Sequence, residues 1–335
     1  GGYRVLTTQI YASKVSGAVS LAMVETVVLA SVSLAFLWVL RRMEGDREFA
    51  AVGKGLGAAR RRESSGWRRW GMAAAGVGGV LLLLLPHLTL VLVSFVPTGT
   101  WTTQVLPDQF TLGNYASLFS RPELLRPVVN SLQMAAVATA GNLLLCFVAG
   151  YLAVRRQFRG RGLLRVLLVL PWALPGTVIA MGLATTFSTN QPELGRTVLV
   201  GTFWILPLAY FIRNTPLVAQ ATIASFRQFD PALEEAARSL GAGWLETMRR
   251  VALPLVLPGL AAGGTLAFVT ALGEFVASIL LYTHSTRPIS IEILAQLRAF
   301  DFGKATALGV LLAALVGAAF AAGGRWLQEG AVPRG

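Results

Sequence analysis

Long uncharged apolar runs recur along this sequence of 335 residues. They lie at about 18–40, 71–97, 128–154, 163–187, 197–219, 256–282 and 305–324. Each run has the roughly 20 residues that a helix needs to cross a hydrocarbon core about 30 Å thick. Lipid offers the backbone no hydrogen-bond partners, so such runs favour helices. With 54% hydrophobic and only 13% charged residues, the sequence predicts an all-α, polytopic transmembrane helical bundle.

The basic residues are distributed unevenly between the two sides of this bundle. If the polar stretch 213–252 faces the cytoplasm, then 41–70, 155–165 and the C-terminus do so too. These segments hold 21 of the 29 Lys and Arg residues, as the positive-inside rule requires. The net charge of +13 therefore needs no nucleic-acid partner, and we expect none. Stretch 41–70, rich in Arg, Gly and Ser, predicts a flexible connector that contacts anionic membrane lipid.

The polar stretch that begins at Phe229 predicts a helix, a glycine bend and a second helix. Asp230 is a good N-cap and Pro231 a good first helical residue, which starts a helix over 232–240. Gly241 ends that helix. A second helix is expected over 244–251, ending before a Leu-Pro pair because proline cannot continue a helix interior. The chain should therefore form a hairpin outside the lipid.

Seven residues of this hairpin, about 229–254, follow a fixed spacing: EAA, three residues, G, nine residues, an aliphatic residue, one residue, LP. They are Glu235, Ala236, Ala237, Gly241, Val251, Leu253 and Pro254. The spacing resembles the cytoplasmic EAA loop in the membrane subunits of ATP-binding-cassette importers, with valine where isoleucine is usual. The resemblance implies the type I importer permease fold and a coupling helix that sits in a groove on an ATPase subunit. Leu233 and Leu240 would offer that partner an apolar edge. An ordinary interfacial hairpin is the alternative.

The resemblance also implies partners and a location. It implies two copies of an ABC ATPase subunit, an external substrate-binding protein and a multi-pass position in the bacterial cytoplasmic (inner) membrane. The sequence has no G-x-x-x-x-G-K-[ST] phosphate loop, so we assign ATP hydrolysis to a separate subunit and expect neither enzyme activity nor a cofactor. Cys146 is the single cysteine, which excludes a disulfide within this chain, and we expect no metal site.

A short internal repeat predicts the domain organisation. RVLTTQI at 4–10 resembles RPISIEI at 287–293, and each copy precedes one last apolar run. We therefore interpret 1–40 as the end of a first permease half, 41–70 as a basic cytoplasmic linker and 71–335 as a complete six-span second half. This layout resembles the fused-half permeases of ferric-iron and thiamine importers. The first half is expected upstream or in a separate chain.

Three residues within the spans are candidates for the translocation path. Glu274 lies within an apolar run, where a carboxylate is costly unless it faces a protein interior or a water-filled path. Pro171 and Pro175 in LPWALPG should break a helix in the middle of the membrane. For all three, a role in helix packing stays open beside a role in the path.

The solute is the least constrained feature. The fused layout and the run GEFVASILLYTHSTRPISIEIL look most like permeases for ferric iron, with thiamine, phosphonate and polyamine importers as alternatives. An ion-coupled secondary transporter is a further alternative, although it needs coupling-ion ligands for which Glu274 is the only candidate. The resemblance implies that selectivity resides largely in the binding protein.

Overall fold

The computed structural model describes residues 5–44, 66–101, 104, 106–189 and 197–331. Within these ranges the chain forms fourteen α-helices and no strand. The centre of the basic linker, 45–65, and Arg4 at the start of the repeat lie outside the described residues.

The helices divide the chain into two sets of seven. The first set is α1 (Leu6–Val15), α2 (Val19–Glu44), α3 (Gly66–Ser94), α4 (Gly113–Ser120), α5 (Pro122–Arg155), α6 (Arg161–Ala173) and α7 (Gly176–Thr186). The second set is α8 (Ile205–Gln228), α9 (Ala232–Ser239), α10 (Trp244–Thr247), α11 (Leu253–Leu272), α12 (Ser278–Leu281), α13 (Ile289–Arg298) and α14 (Phe302–Ala331). A π-helical turn, Met248–Ala252, joins α10 to α11.

Five helical segments are long and apolar enough to cross a membrane. They are Val19–Val39, Arg69–Ser94, Pro122–Arg155, Trp244–Leu272 and Phe302–Arg325. The bent pair α6 and α7 makes a sixth if it counts as one span. Helix α8 has 24 residues but is more polar. These segments confirm the predicted all-α membrane bundle.

Helices α5, α8 and α11 pack against one another and form the centre of the bundle. Glycines allow α11 to approach α8 closely. A Cβ on Gly263 would lie 3.0 Å from the Cα of Val218, and one on Gly259 would lie 3.1 Å from the carbonyl oxygen of Ala221. Residues four apart share one helix face, so these glycines form a smooth strip on which the two backbones meet. Around this centre, α14 packs on α3, α11 and α13, while α2 packs on α6 and α7.

Three of the predicted spans differ from the observed helices. The run 163–187 is two helices bent by 106°, because Leu174 before Pro175 is extended, as a residue before proline prefers. Pro171 lies inside α6 and does not break it. The run 256–282 stops being a continuous helix after Leu272, and the run predicted at 197–219 is α8, which continues to Gln228.

The extension of α8 corrects the assignment of one charge. Arg213 was expected at the start of a cytoplasmic loop, but the structure places it inside α8. A boundary predicted from apolar content alone comes too early in the chain. Helix α8 continues because it buries polar residues such as Asn214 and Thr215 against its neighbours.

Helices α1 and α13 have the same length and are connected to the next helix in the same way. Each has ten residues and is followed three residues later by a long helix. Each ends in a turn with positive φ, at Gly17 (81°) and at Phe300 (58°). The backbone bonds also match: Ala18 N donates to Ser13 O at 2.9 Å, and Asp301 N donates to Gln296 O at 3.0 Å. The sequence repeat at 4–10 and 287–293 thus coincides with a repeated helix, turn and helix.

Candidate functional site

The hairpin at 229–254, which we call the elbow, begins with a capped helix and a glycine turn. The Asp230 Oδ1 accepts a hydrogen bond from Ala232 N at 2.9 Å, which confirms the predicted N-cap. At the other end, Gly241 has φ of +90°. Gly241 N donates to Arg238 O at 2.9 Å and Ala242 N donates to Ala237 O at 3.0 Å. This is a Schellman motif, in which the residue at the turn needs the left-handed conformation that glycine adopts without strain.

The second arm of the elbow is continuous with a membrane helix. The prediction that it ends before Leu253 and Pro254 is wrong, because α10 passes through the π-helical turn directly into α11. Pro254 is the second residue of α11. The π turn shifts the local hydrogen-bond pattern just where proline lacks its N–H, so the helix continues. The second arm and α11 are therefore one continuous helical segment, Trp244–Leu272.

The elbow exposes large apolar side chains. Leu240 is 89% exposed and Leu245 is 72% exposed, while Leu233 and Trp244 are about half exposed. The other motif residues differ in how exposed they are. Glu235, Ala236, Gly241 and Pro254 are exposed, whereas Ala237, Val251 and Leu253 are partly buried. An exposed apolar edge on a polar hairpin is typical of a surface that binds another protein.

The buried carboxylate of the elbow is Glu234, which the motif does not include. Its Oε1 lies 3.3 Å from Arg155 Nε, and its Oε2 lies 3.4 Å from Arg238 Nη2. Tyr151 also donates its hydroxyl to Oε2 at 3.4 Å. Because Tyr151 and Arg155 lie in the last turns of α5, these contacts tie α9 to the C-terminal end of a central helix. The four-residue spacing of Glu234 and Arg238 was the available sequence signal.

Arg155 also contacts Phe229, the first residue of the elbow. Its Nη2 donates to the carbonyl oxygen of Phe229 at 2.8 Å. Its guanidinium carbon lies 4.1 Å from the centre of the Phe229 ring, a cation–π contact. One arginine therefore fixes both the start of the elbow and its first helix.

Glu274 lies in the non-helical turn between α11 and α12. Its Oε2 accepts hydrogen bonds from Ala277 N at 2.9 Å and Ser278 N at 3.2 Å. Its Oε1 lies 3.3 Å from Arg213 Nε. The Glu274 side chain is only 3% exposed, whereas that of Arg213 is 29% exposed. The accessible charge at this break is thus the arginine that sequence reasoning placed in a loop.

The α6–α7 break lies beside the same arginine. A Cβ on Gly176 would lie within 3 Å of the Arg213 guanidinium carbon, so the missing side chain of this glycine leaves room for Arg213. Pro175 directly precedes Gly176, whereas Pro171 lies within α6 before the break. The structure therefore brings the Pro175 break and Glu274 together through Arg213. Among the described residues, no group of three or more His, Cys, Asp or Glu is placed to hold a metal ion.

The family model "Binding-protein-dependent transport system inner membrane component" matches residues 143–334, more than half of the chain. The chain belongs to this permease family. The match covers the elbow, the break at Glu274 and the C-terminal helices. As a member of this family the chain is a multi-pass membrane component of the permease type.

Among permease relatives, the probable ABC transporter permease protein y4fN of Sinorhizobium fredii is 37% identical over 63% of this chain and 37% of its own length. The sulfate transport system permease protein CysT of Salmonella typhimurium is 31% identical over 67% of this chain and 83% of its own length. The ferric transport system permease protein FbpB of Actinobacillus pleuropneumoniae is 31% identical over 60% of this chain and 29% of its own length. The chain thus spans only 37% and 29% of the length of two of these relatives.

A solved structure shares the fold of this permease. It is a bacterial ABC transporter involved in the import of the acidic polysaccharide alginate, with a TM-score of 0.62 and 18% identity. The match covers 78% of this chain and 96% of that chain. It confirms the ABC importer permease fold that the resemblance implied.

Proposed function

We propose that this chain translocates a small solute by alternating access in a binding-protein-dependent importer and that separate ATPase subunits drive it through the elbow. One observation carries the proposal. The elbow presents exposed Leu240 and Leu245 on one side, while its other side is ion-paired to α5 and its second arm continues into α11. A partner that grips the exposed edge would thereby hold two of the three central helices.

The contacts of the elbow indicate how its displacement by an ATPase subunit would reach the central helices. Helix α9 is tied to α5 through the Arg155–Glu234 pair. Helix α10 is continuous with α11, and α8 enters the elbow at Gln228. Since α5, α8 and α11 pack against one another, displacement of the elbow would tilt the centre of the bundle as a unit. The breaks at Pro175 and Glu274 are places where the path could open.

The repeat of α1 and α2 in α13 and α14 supports the proposed domain organisation. Residues 1–40 would be the end of one permease half, 41–70 the cytoplasmic linker near anionic lipid and 71–335 the second half. Two halves would supply two elbows for two ATPase subunits. The family description supports an external binding protein and a position in the inner membrane.

The solute has two leading candidates. Ferric iron is the solute that the sequence resemblance favours, and FbpB, named for ferric transport, supports it. Sulfate is supported by CysT, a relative of similar identity of which the chain covers a larger share. A polyamine stays a third candidate, since the spermidine/putrescine permease PotB of Escherichia coli is 30% identical over 68% of this chain and 87% of its own length.

Site-directed cross-linking tests the role of the elbow. We expect Leu240→Cys to cross-link to a co-expressed ATPase subunit, while Leu81→Cys on exposed, apolar α3 should not. The transport proposal also requires ATP-dependent uptake by membrane vesicles that contain the complete complex. Labelling of Leu240→Cys from the outer side, or absence of any ATPase cross-link in an assembled complex, would overturn the coupling role.

A further inference from the structure

Arg213 is a partly exposed cation in the body of α8, one of the three central helices of the bundle. It is the ninth residue of α8, about 12 Å along the helix from Ile205. Its side chain is 29% exposed, although the next residue, Asn214, is buried. A guanidinium facing hydrocarbon is costly, so this side of α8 must face a water-filled path or the other half of the permease.

The partner of Arg213 leaves part of the guanidinium free. Glu274 contacts Arg213 at Nε. The same carboxylate is already stabilised by the backbone N–H groups of Ala277 and Ser278. In the part of the chain that the structure describes, no acceptor bonds the two terminal nitrogens of Arg213, and Nη1 lies beside Gly176. These nitrogens are the donors that bind an oxyanion in two parallel hydrogen bonds.

The beginning of α7 adds further donors at the same place. Helix α7 has eleven residues and follows the 106° break. Its first N–H groups, at Gly176 and Thr177, have no intrahelical acceptor, and a helix N-terminus attracts anions. Thr177 is 5% exposed, and its Oγ1 is buried without a hydrogen-bond partner among the described residues. This buried hydroxyl is therefore a further polar group at the turn that no described residue pairs with.

We infer that Arg213, the N–H groups of Gly176 and Thr177, and Thr177 Oγ1 form a transient binding site for an oxyanion on the translocation path. The inference rests on the proposed permease function and selects among its solutes: the transported group is an anion of the sulfate type. A ferric cation or a polyamine would meet the arginine and the positive end of α7 instead. The carboxylate of Glu274 pairs with Nε and lowers the net positive charge of the site, so the preference for an oxyanion rests on the N–H and O–H donors that face it.

Direct anion binding tests the site without the binding protein. The purified complete complex is titrated with inorganic sulfate and, separately, with phosphate, which should also bind as an oxyanion, and with the cation spermidine, which should not bind. We expect saturable sulfate binding that Arg213→Gln weakens about tenfold to a hundredfold, the effect of losing a charged donor pair. Gly176→Ala should weaken it too, because the new methyl group displaces the guanidinium. Arg227→Gln, in the last turn of α8, is the matched control and should bind as the unmodified chain does.

Two further variants separate binding from folding. Arg213→Gln alone leaves Glu274 buried without its partner, so the double variant Arg213→Gln/Glu274→Gln removes the pair while keeping both shapes. Thr177→Val removes the buried hydroxyl while keeping the side-chain shape, and it should weaken sulfate binding. Absence of sulfate binding by the unmodified complex, or equal binding by the double variant, would overturn the site. The ATPase cross-link at Leu240→Cys reports the permease role separately, so the anion site can fail while that role stands.

Discussion

Glu234 in the elbow and Arg155 at the end of α5 form an ion pair of 3.3 Å in which both side chains are largely buried, at 6% and 12% exposed. The two residues are 79 positions apart, so the pair joins two separate helices. Burial makes the partners interdependent, since removal of one leaves the other as an uncompensated charge. This pair is therefore one of the contacts that anchor the elbow to the centre of the bundle.

This anchor predicts the effect of Glu234→Gln. We expect the variant to lose about 3 kcal/mol of local stability and most ATP-driven uptake, because α9 is released from α5. Uptake by vesicles and protease sensitivity of the elbow measure the two effects. Glu246→Gln is the control, since its pair with Arg250 is exposed and should contribute less than about 1 kcal/mol. Equal losses in the two variants would show that the buried pair has no special role.

The glycine turn predicts a contrast between two neighbouring glycines. Gly241 has φ of +90° and Gly243 has φ of −67°, and a Cβ on either would meet no atom within 4 Å. Gly241→Val should therefore strain the backbone by about 1–3 kcal/mol and abolish coupled uptake, with membrane insertion intact. Gly243→Val should keep uptake. Normal transport by Gly241→Val would contradict the requirement for this bend.

The exposed apolar edge predicts a change in assembly without a change in folding. Leu240→Ala and Leu245→Ala should each weaken ATPase association about tenfold, while thermal stability of the permease stays within about 0.5 kcal/mol, as expected for exposed side chains. Co-purification with the ATPase at increasing salt and detergent measures association. Leu163→Ala, at an exposed position of α6, is the control. Unchanged association in both elbow variants would argue against this edge as the docking surface.

The close contact between α8 and α11 predicts a stability difference between glycines. Gly263→Ala places a methyl group 3.0 Å from the backbone of Val218 and should destabilise the bundle by about 1–3 kcal/mol. Gly317→Ala in α14 meets no atom within 4 Å and should be neutral or slightly stabilising. Thermal unfolding in detergent compares the two variants. A similar melting temperature for both would show that the helices can separate without cost.

Asp301 predicts a pH dependence at the turn between α13 and α14. Partial burial acts to raise the pKa of Asp301, but hydrogen bonds from Lys304 and Thr98 outweigh it and lower the pKa. A lowered folded-state pKa means that the contribution of Asp301 to stability is present above its unfolded pKa of about 3.9 and is lost as the pH falls through the lower folded value. Between pH 7 and pH 3, the thermal unfolding temperature should therefore fall less steeply for Asp301→Asn than for the unmodified chain. An identical pH profile would exclude a contribution from this pair.

The amino-acid sequence alone determined the class of fold and the outline of the elbow. Apolar runs report membrane helices because lipid leaves the backbone no other partner. Asp230 and Gly241 could be assigned because capping is local: each acts on backbone groups within a few residues. The same locality explains why the repeat at 4–10 and 287–293 could be recognised from the sequence alone.

Tertiary structure decided which charged residues matter. Sequence reasoning chose Glu235 from the motif, but the carboxylate that holds the elbow is Glu234, because Arg155 reaches it from a distant helix. It placed Arg213 in a loop, whereas packing of α8 against α5 and α11 keeps that arginine inside the bundle beside Glu274. The π turn that carries α10 into α11 was also invisible. Pairing between side chains far apart in sequence, and helix packing around them, are properties of the folded chain that no local pattern encodes.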